Sequence, residues 1–344
     1  MFVLLKISNN YNIIKQTLFF IRKYVAFFLV LFCTKSLSAQ ETIVTYMKKN
    51  GSFTAQKDSA DYTRILRISP NSLALYELNE YYPNGSLKRH GWVKTLDPKR
   101  LQFEGTVETY YDNETLAAIL NYAQNKLVDT AKRYYKNGVL KESIFYLKPQ
   151  ENQESAFGSD PDSRLVYYAD SLNNVQITNG KGTARFVDKD NDVEQGEYAD
   201  GVRIGHWKGT INKGKYKFEE WYEKGIIVNG ETTDSLGKKI KYTKVQVQPE
   251  YPGGIQQLRM FIGNNYKYPR EAIGARVVGQ VTISFVVEKD GKTSSYKIID
   301  DLGYGTGNAG VAVLKKAKDW SPGYERGIPV RVAYTLPIRL NLTK

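Results

Sequence analysis

The sequence predicts a mainly β repeat region followed by an α+β domain, a small antiparallel sheet packed by helices. Three observations carry this. An aromatic pair followed by a turn recurs between Tyr81 and Gly225, hydrophobic spacing becomes helical after Tyr251, and residues 330–340 alternate strictly between apolar and mostly polar. At 344 residues, 41% of them apolar, the chain is long enough for more than one domain.

The first 39 residues stand apart. They carry Lys6, Lys15, Arg22, Lys23 and Lys35, no acidic residue, and an unbroken apolar run from Tyr24 to Cys33. That run is about half the roughly 20 residues a membrane-spanning helix needs. It reads as a signal peptide cut after Ser36-Leu37-Ser38-Ala39, which places the mature chain in the periplasm, associated with the envelope. The alternative, an uncleaved inner-membrane anchor starting at Thr17, would bury Arg22 and Lys23 in hydrocarbon at a cost of several kcal/mol. Phe32 before Cys33 argues against lipidation. Cys33 is the only cysteine, so the mature chain is expected to have no disulfide, thiolate metal site or cysteine nucleophile.

The formal charge is +13, and five of those cations lie in the leader. The rest are spread with no dense Lys/Arg run. That pattern fits a solvated basic surface facing anionic envelope components such as peptidoglycan, and not a nucleic-acid partner.

The repeat signal is an aromatic pair before a turn: Tyr81-Tyr82-Pro83-Asn84-Gly85, Tyr110-Tyr111-Asp112-Asn113-Glu114 and Tyr134-Tyr135-Lys136-Asn137-Gly138. Weaker copies are Tyr167-Tyr168-Ala169-Asp170-Ser171, Glu197-Tyr198-Ala199-Asp200-Gly201 and Trp221-Tyr222-Glu223-Lys224-Gly225. Each reads as a hairpin. The tyrosines serve either as cross-strand packing or as an aromatic groove for peptide or glycan, with packing favoured. The run Gly196-Glu197-Tyr198-Ala199-Asp200-Gly201-Val202-Arg203-Ile204-Gly205-His206-Trp207-Lys208-Gly209 resembles the MORN-like repeats of YwqK-type proteins. The expected organisation is a hairpin repeat region over 40–228, with a loop at Pro149–Pro161, and a linker over 229–250 rich in Thr, Lys and Gln.

In the last hundred residues, Ile255, Leu258, Phe261 and Ile262 share a helical face after Pro252-Gly253-Gly254. Tyr268-Pro269 opens a short second helix through Ala275. Val281, Ile283, Phe285 and Val287 then alternate as a strand into a Lys289-Asp290-Gly291 turn, and Ser294–Asp300 returns beside it. A third helix is expected over Ala309–Trp320. The final strand carries Pro337, which cannot donate to a ladder and therefore points to a sheet edge.

Several motifs in this order resemble the C-terminal domain of the TonB family, expected over 251–342. They include Tyr251-Pro252-Gly253-Gly254, Tyr268-Pro269, Gly279-Gln280-Val281, Val286-Val287-Glu288-Lys289-Asp290-Gly291, Trp320-Ser321-Pro322-Gly323, Arg326-Gly327-Ile328-Pro329-Val330-Arg331-Val332 and Tyr334-Thr335-Leu336-Pro337-Ile338-Arg339-Leu340. The resemblance implies docking on an outer-membrane TonB-dependent receptor, whose TonB-box peptide adds to the last strand in energy transduction for transport. Carried over, the binding residues are Val330, Arg331, Val332, Ala333, Tyr334, Thr335 and Leu336, with the polar stretch Asn264, Asn265, Tyr266 and Lys267 before Tyr-Pro. Family transducers also engage inner-membrane motor proteins through an anchor and a proline-rich spacer. Repeats occupy the spacer's place here, so an envelope scaffold without energy coupling is the alternative.

Other motifs read as structural. Gly305-Thr306-Gly307-Asn308-Ala309-Gly310 fits a dinucleotide pattern, but no third βα element follows, so it reads as a helix-entry loop. Asp188, Asp190 and Asp192 open like a calcium loop, but Val193 stands where glycine is needed and Ala199 where a glutamate should close it. His90 and His206 have no neighbouring catalytic constellation. No enzymatic activity, metal or cofactor is expected.

Overall fold

The aromatic-and-turn units fold as antiparallel hairpins in a computed structural model that describes residues 42–68, 75–150 and 162–341. The expected leader and residues 151–161 of the expected loop lie outside the described residues, while Pro149 and Gln150 end a strand. The chain divides between Gln102 and Phe103 into two compact units.

The first unit holds β1 (Thr42–Met47), β2 (Phe53–Thr54), a 3-10 turn at Lys57–Ser59, β3 (Tyr62–Ile68), β4 (Tyr76–Tyr81) and β5 (Leu87–Val93). β1 pairs with both β2 and β3, and β3, β4 and β5 follow in order. Met47, Leu66, Leu78 and Val93 are buried between their alternating neighbours. Glu80 is fully buried, and Arg64 (2.7 Å), Lys88 (3.0 Å) and Arg89 (3.5 Å) surround its carboxylate. Burial pushes its pKa up, but the three cations outweigh burial and hold it below the usual carboxylate value.

The second unit opens with β6 (Phe103–Tyr110), β7 (Leu116–Ala123), β8 (Lys126–Tyr134), β9 (Leu140–Gln150), β10 (Ser163–Ala169) and β11 (Val175–Thr178). It continues with β12 (Lys181–Val187), β13 (Val193–Ala199), β14 (Val202–Ile211), β15 (Tyr216–Glu223), β16 (Ile226–Thr233) and β17 (Lys239–Tyr242). Each strand pairs antiparallel with the next. The tyrosines tie successive turns together. Tyr111 Oη donates to the Tyr134 carbonyl (2.7 Å) and Tyr135 Oη to that of Ala169 (3.1 Å). Asn113 and Asn137 donate to the carbonyls of Lys136 (3.2 Å) and Ser171 (2.8 Å). Large rings lie flat over glycines on the next strand: a Cβ at Gly196 would stand 2.3 Å from the Trp207 indole, and one at Gly230 2.3 Å from the Tyr242 ring.

Residues 229–250 are not a linker. They complete β16, form β17 and supply β18 (Gln246–Val247). In β17, Lys239 and Lys241 face water while Ile240 and Tyr242 turn inward, so a polar composition coexists with a strand that buries one side.

The remaining elements are α1 (Gly254–Asn265), α2 (Arg270–Gly274), β19 (Gly279–Val287), β20 (Thr293–Asp300), α3 (Thr306–Leu314), β21 (Gly323–Glu325), β22 (Ile328–Val330) and β23 (Val332–Leu340). Two antiparallel sheets result, ordered β20-β19-β23 and β18-β21-β22. The core joins Leu258 and Ile262 of α1, Val313 and Leu314 of α3, alternate residues of β19 and β23, and Trp320. The third helix starts and ends earlier than Ala309–Trp320. Asp301 Oδ1 accepts from Thr306 Oγ1 (2.7 Å) and the Gly307 amide (2.9 Å), which starts the helix at Thr306. The glycines of the dinucleotide-like pattern serve packing: a Cβ at Gly310 would stand 2.5 Å from Ile283.

The C-terminal elements abut the last strands of the hairpin sheet through the β21–β22 turn. Arg326 at its tip is 6% exposed. Its guanidinium lies 2.8 Å from Glu220 and 3.3 Å from Glu194, and 3.8 Å from the centre of the Phe218 ring. Arg203 also pairs with Glu194, and Glu325 stands 3.8 Å from Arg326 at the exposed rim, so two guanidiniums and three carboxylates share one largely buried network. Burial pulls the Arg326 pKa down, but Glu194 and Glu220 more than offset it and hold the guanidinium above its ordinary value.

Candidate functional site

β23 is a nine-residue strand whose full length pairs with β19, from Val332 opposite Val287 to Leu340 opposite Gly279. Among the described residues it has no strand on its other side. Leu336, Ile338 and Leu340 are buried, while Ala333, Thr335, Pro337 and Arg339 are exposed. The alternation in the sequence therefore lays one face on the core and the other in water.

The expected binding strand Val330–Leu336 is interrupted. Val330 ends β22 and pairs with Gly323, whereas Val332 starts β23 and pairs with Val287. Arg331 lies between the two sheets, and its side chain forks onto Glu288 at 2.7 and 2.9 Å. That hydrogen-bonded pair holds the Glu288 carboxyl below its usual value. The open edge thus begins at Val332.

The opposite edge strand, β20, differs. Its register with β19 shifts twice, Ser295 sits at φ 52°, and Lys297 stands in its middle. Bulges and a mid-strand lysine are ordinary devices against unwanted pairing.

Asn264, Asn265, Tyr266 and Lys267 close α1 and the turn after it. Asn265 donates to the Phe261 carbonyl (2.8 Å), and Tyr266 Oη donates to the Thr306 carbonyl (2.8 Å) with its ring edge-on to Tyr268. Burial pushes the Tyr266 phenol up to about 12. Asn264 and Lys267 are exposed. Among the described residues no hydrogen bond or ion pair joins 264–267 to 330–336; Tyr266 and Tyr334 each pack against the same core.

Elsewhere the sequence candidates are engaged in the sheet. Asp188 Oδ1 accepts from the amides of Asp190 (2.8 Å) and Asp192 (2.9 Å), and Asp192 accepts from Lys213 and Gly214, both at 2.7 Å. His206 stacks on Trp221 at 4.9 Å and meets Glu219 at 3.1 Å, while His90 meets Asn79 at 2.9 Å. Sequence reasoning missed the Arg326 network because Arg326 and Glu220 are 106 positions apart.

A three-stranded antiparallel sheet with helices on its core side and one unbulged open edge defines a small α+β domain. Residues 264–342 match the family model described as Gram-negative bacterial TonB protein C-terminal. That family is transport-associated and non-enzymatic. The match begins at Asn264, so Tyr251-Pro252-Gly253-Gly254 and most of α1 precede it. No curated protein matches the chain.

Proposed function

We propose that this chain is an envelope-associated periplasmic protein whose C-terminal domain takes an extended partner segment by strand addition along β23, the partner being the TonB-box segment of an outer-membrane receptor. The observation that carries the reading is the unbulged, one-sided ladder of β23, in contrast to the bulged β20 at the opposite edge. Pro337 adds the parity. With no N–H to give, it fits the non-hydrogen-bonded pair opposite Thr282, so the ladder to β19 runs through Val332, Tyr334, Leu336, Ile338 and Leu340. The amides of Ala333, Thr335 and Arg339 then face the free edge.

Two donors before Pro337, plus the matching carbonyls, contribute about 1 kcal/mol each, roughly 4 kcal/mol together, so micromolar-range, transient docking needs a few side-chain contacts of similar total size beside them. Thr335→Pro removes one of them without touching the β19 ladder. It should weaken binding of a TonB-box peptide roughly tenfold, about 1.4 kcal/mol, with the domain still folded. Arg339→Ala near the strand's end should leave both almost unchanged. Calorimetric titration of both variants checks this, and equal affinity for every box peptide in folded Thr335→Pro sinks strand addition here.

The envelope scaffold remains the second reading, favoured by one observation. The β21–β22 turn packs directly on the repeat sheet, where a motor-driven transducer would have a long spacer.

A further inference from the structure

The buried network at the β21–β22 turn is more than a chance contact between neighbours. Glu194 lies on β13, Arg203 on β14 and Glu220 on β15, so three adjacent repeat strands bring two carboxylates and one guanidinium to one point. Without Arg326 that point would hold an uncompensated buried negative charge, which folded proteins avoid. Backbone contacts fix the same turn: Thr232 Oγ1 donates to the Arg326 carbonyl (2.8 Å), and the Arg326 amide donates to the Val245 carbonyl (2.7 Å). Arg326 sits at φ 48° and puts Gly327 against Ile240 of β17, where a Cβ would stand 2.8 Å from the isoleucine. The turn thereby covers the last, short strand of the repeat sheet, the position where a repeat array needs a cap.

The same turn leads through β22 into the open edge, with only five residues between Arg326 and Val332. We propose that the Arg326 turn locks the C-terminal domain onto β13–β17, so that repeat sheet and binding edge move as one body. A partner strand drawn along β23 would then load the repeat sheet instead of swivelling a tethered domain. The lock rests on the junction geometry alone, and only this mechanical consequence rests on strand addition.

The test needs no partner, so its failure is separate from failure of the strand-addition reading. Spin labels are placed at two exposed positions, Lys208→Cys on β14 and Gln256→Cys on α1, in the full chain carrying Cys33→Ser. Their distance distribution is measured by pulsed electron paramagnetic resonance, with amide exchange of Val281–Val287 reporting on the domain's fold. A lock gives one narrow distribution. Arg326→Met should broaden it severalfold while the β19 amides stay protected, and Arg326→Lys, a point charge without the planar fork, should broaden it less. A broad distribution with Arg326 in place, or a narrow one unchanged in Arg326→Met, overturns the proposal. So does loss of β19 protection in Arg326→Met, since the arginine would then hold the domain's own fold and not a joint between two folded parts.

Discussion

The hairpin sheet and the C-terminal domain solve the same problem, covering apolar surface, with contacts of different reach. In the hairpin sheet, Trp207 lies over Gly196, Tyr242 over Gly230, and tyrosine hydroxyls bond one turn to the next. In the C-terminal domain, Phe285 meets Tyr296, Trp320 and Tyr334 at once, and helices α1 and α3 close over β19. The first arrangement spreads stability along the chain, strand by strand. The second gathers it into one core, which should open as a whole.

Three substitutions sharpen that contrast. Phe285→Ala should be the most damaging, about 3–5 kcal/mol, because a fully buried ring leaves a cavity lined by three others. Amide exchange should show β19, β20 and β23 losing protection together, whereas loss confined to one strand would contradict a single core. Gly196→Ala should follow at about 1–3 kcal/mol, since the indole must shift to admit the methyl group. Its loss of protection should stay within β13–β15, and spread to β6–β9 would contradict a stepwise array. Tyr135→Phe should be mildest, about 0.5–1.5 kcal/mol for the hydroxyl bond to Ala169, read as a small fall in urea midpoint. A fall as large as that of Gly196→Ala would show that the turns, and not the rings over glycines, carry the hairpin sheet.

The same contrast explains what the sequence could disclose. Period-two alternation at Val332–Leu340 and the helical face Leu258–Ile262 are local signals, and both elements form there. The Tyr-Tyr-x-Asn-Gly turns are equally local, with the Tyr82 and Tyr135 amides bonding back to Ser86 and Val139. Pairings set by distant residues were not legible. Val330 reads as part of the last strand until Gly323 claims it for another sheet, and Lys239–Tyr242 is too short for its alternation to stand out from a polar stretch. The alternating exposure of β23 was readable as well. The bond from Tyr266 Oη to the Thr306 carbonyl, 40 positions away, was not.

Strand addition at β23 is tested most directly by following the backbone amides of that strand as a TonB-box peptide is titrated into the protein. The account predicts that Tyr334 and Leu336 are protected from exchange before the peptide is added, through their bonds to β19. Ala333 and Thr335 should exchange freely at first and become protected as the peptide binds. Peptide binding that leaves Ala333 and Thr335 exchanging as before, or protection of both in the free protein, would contradict it.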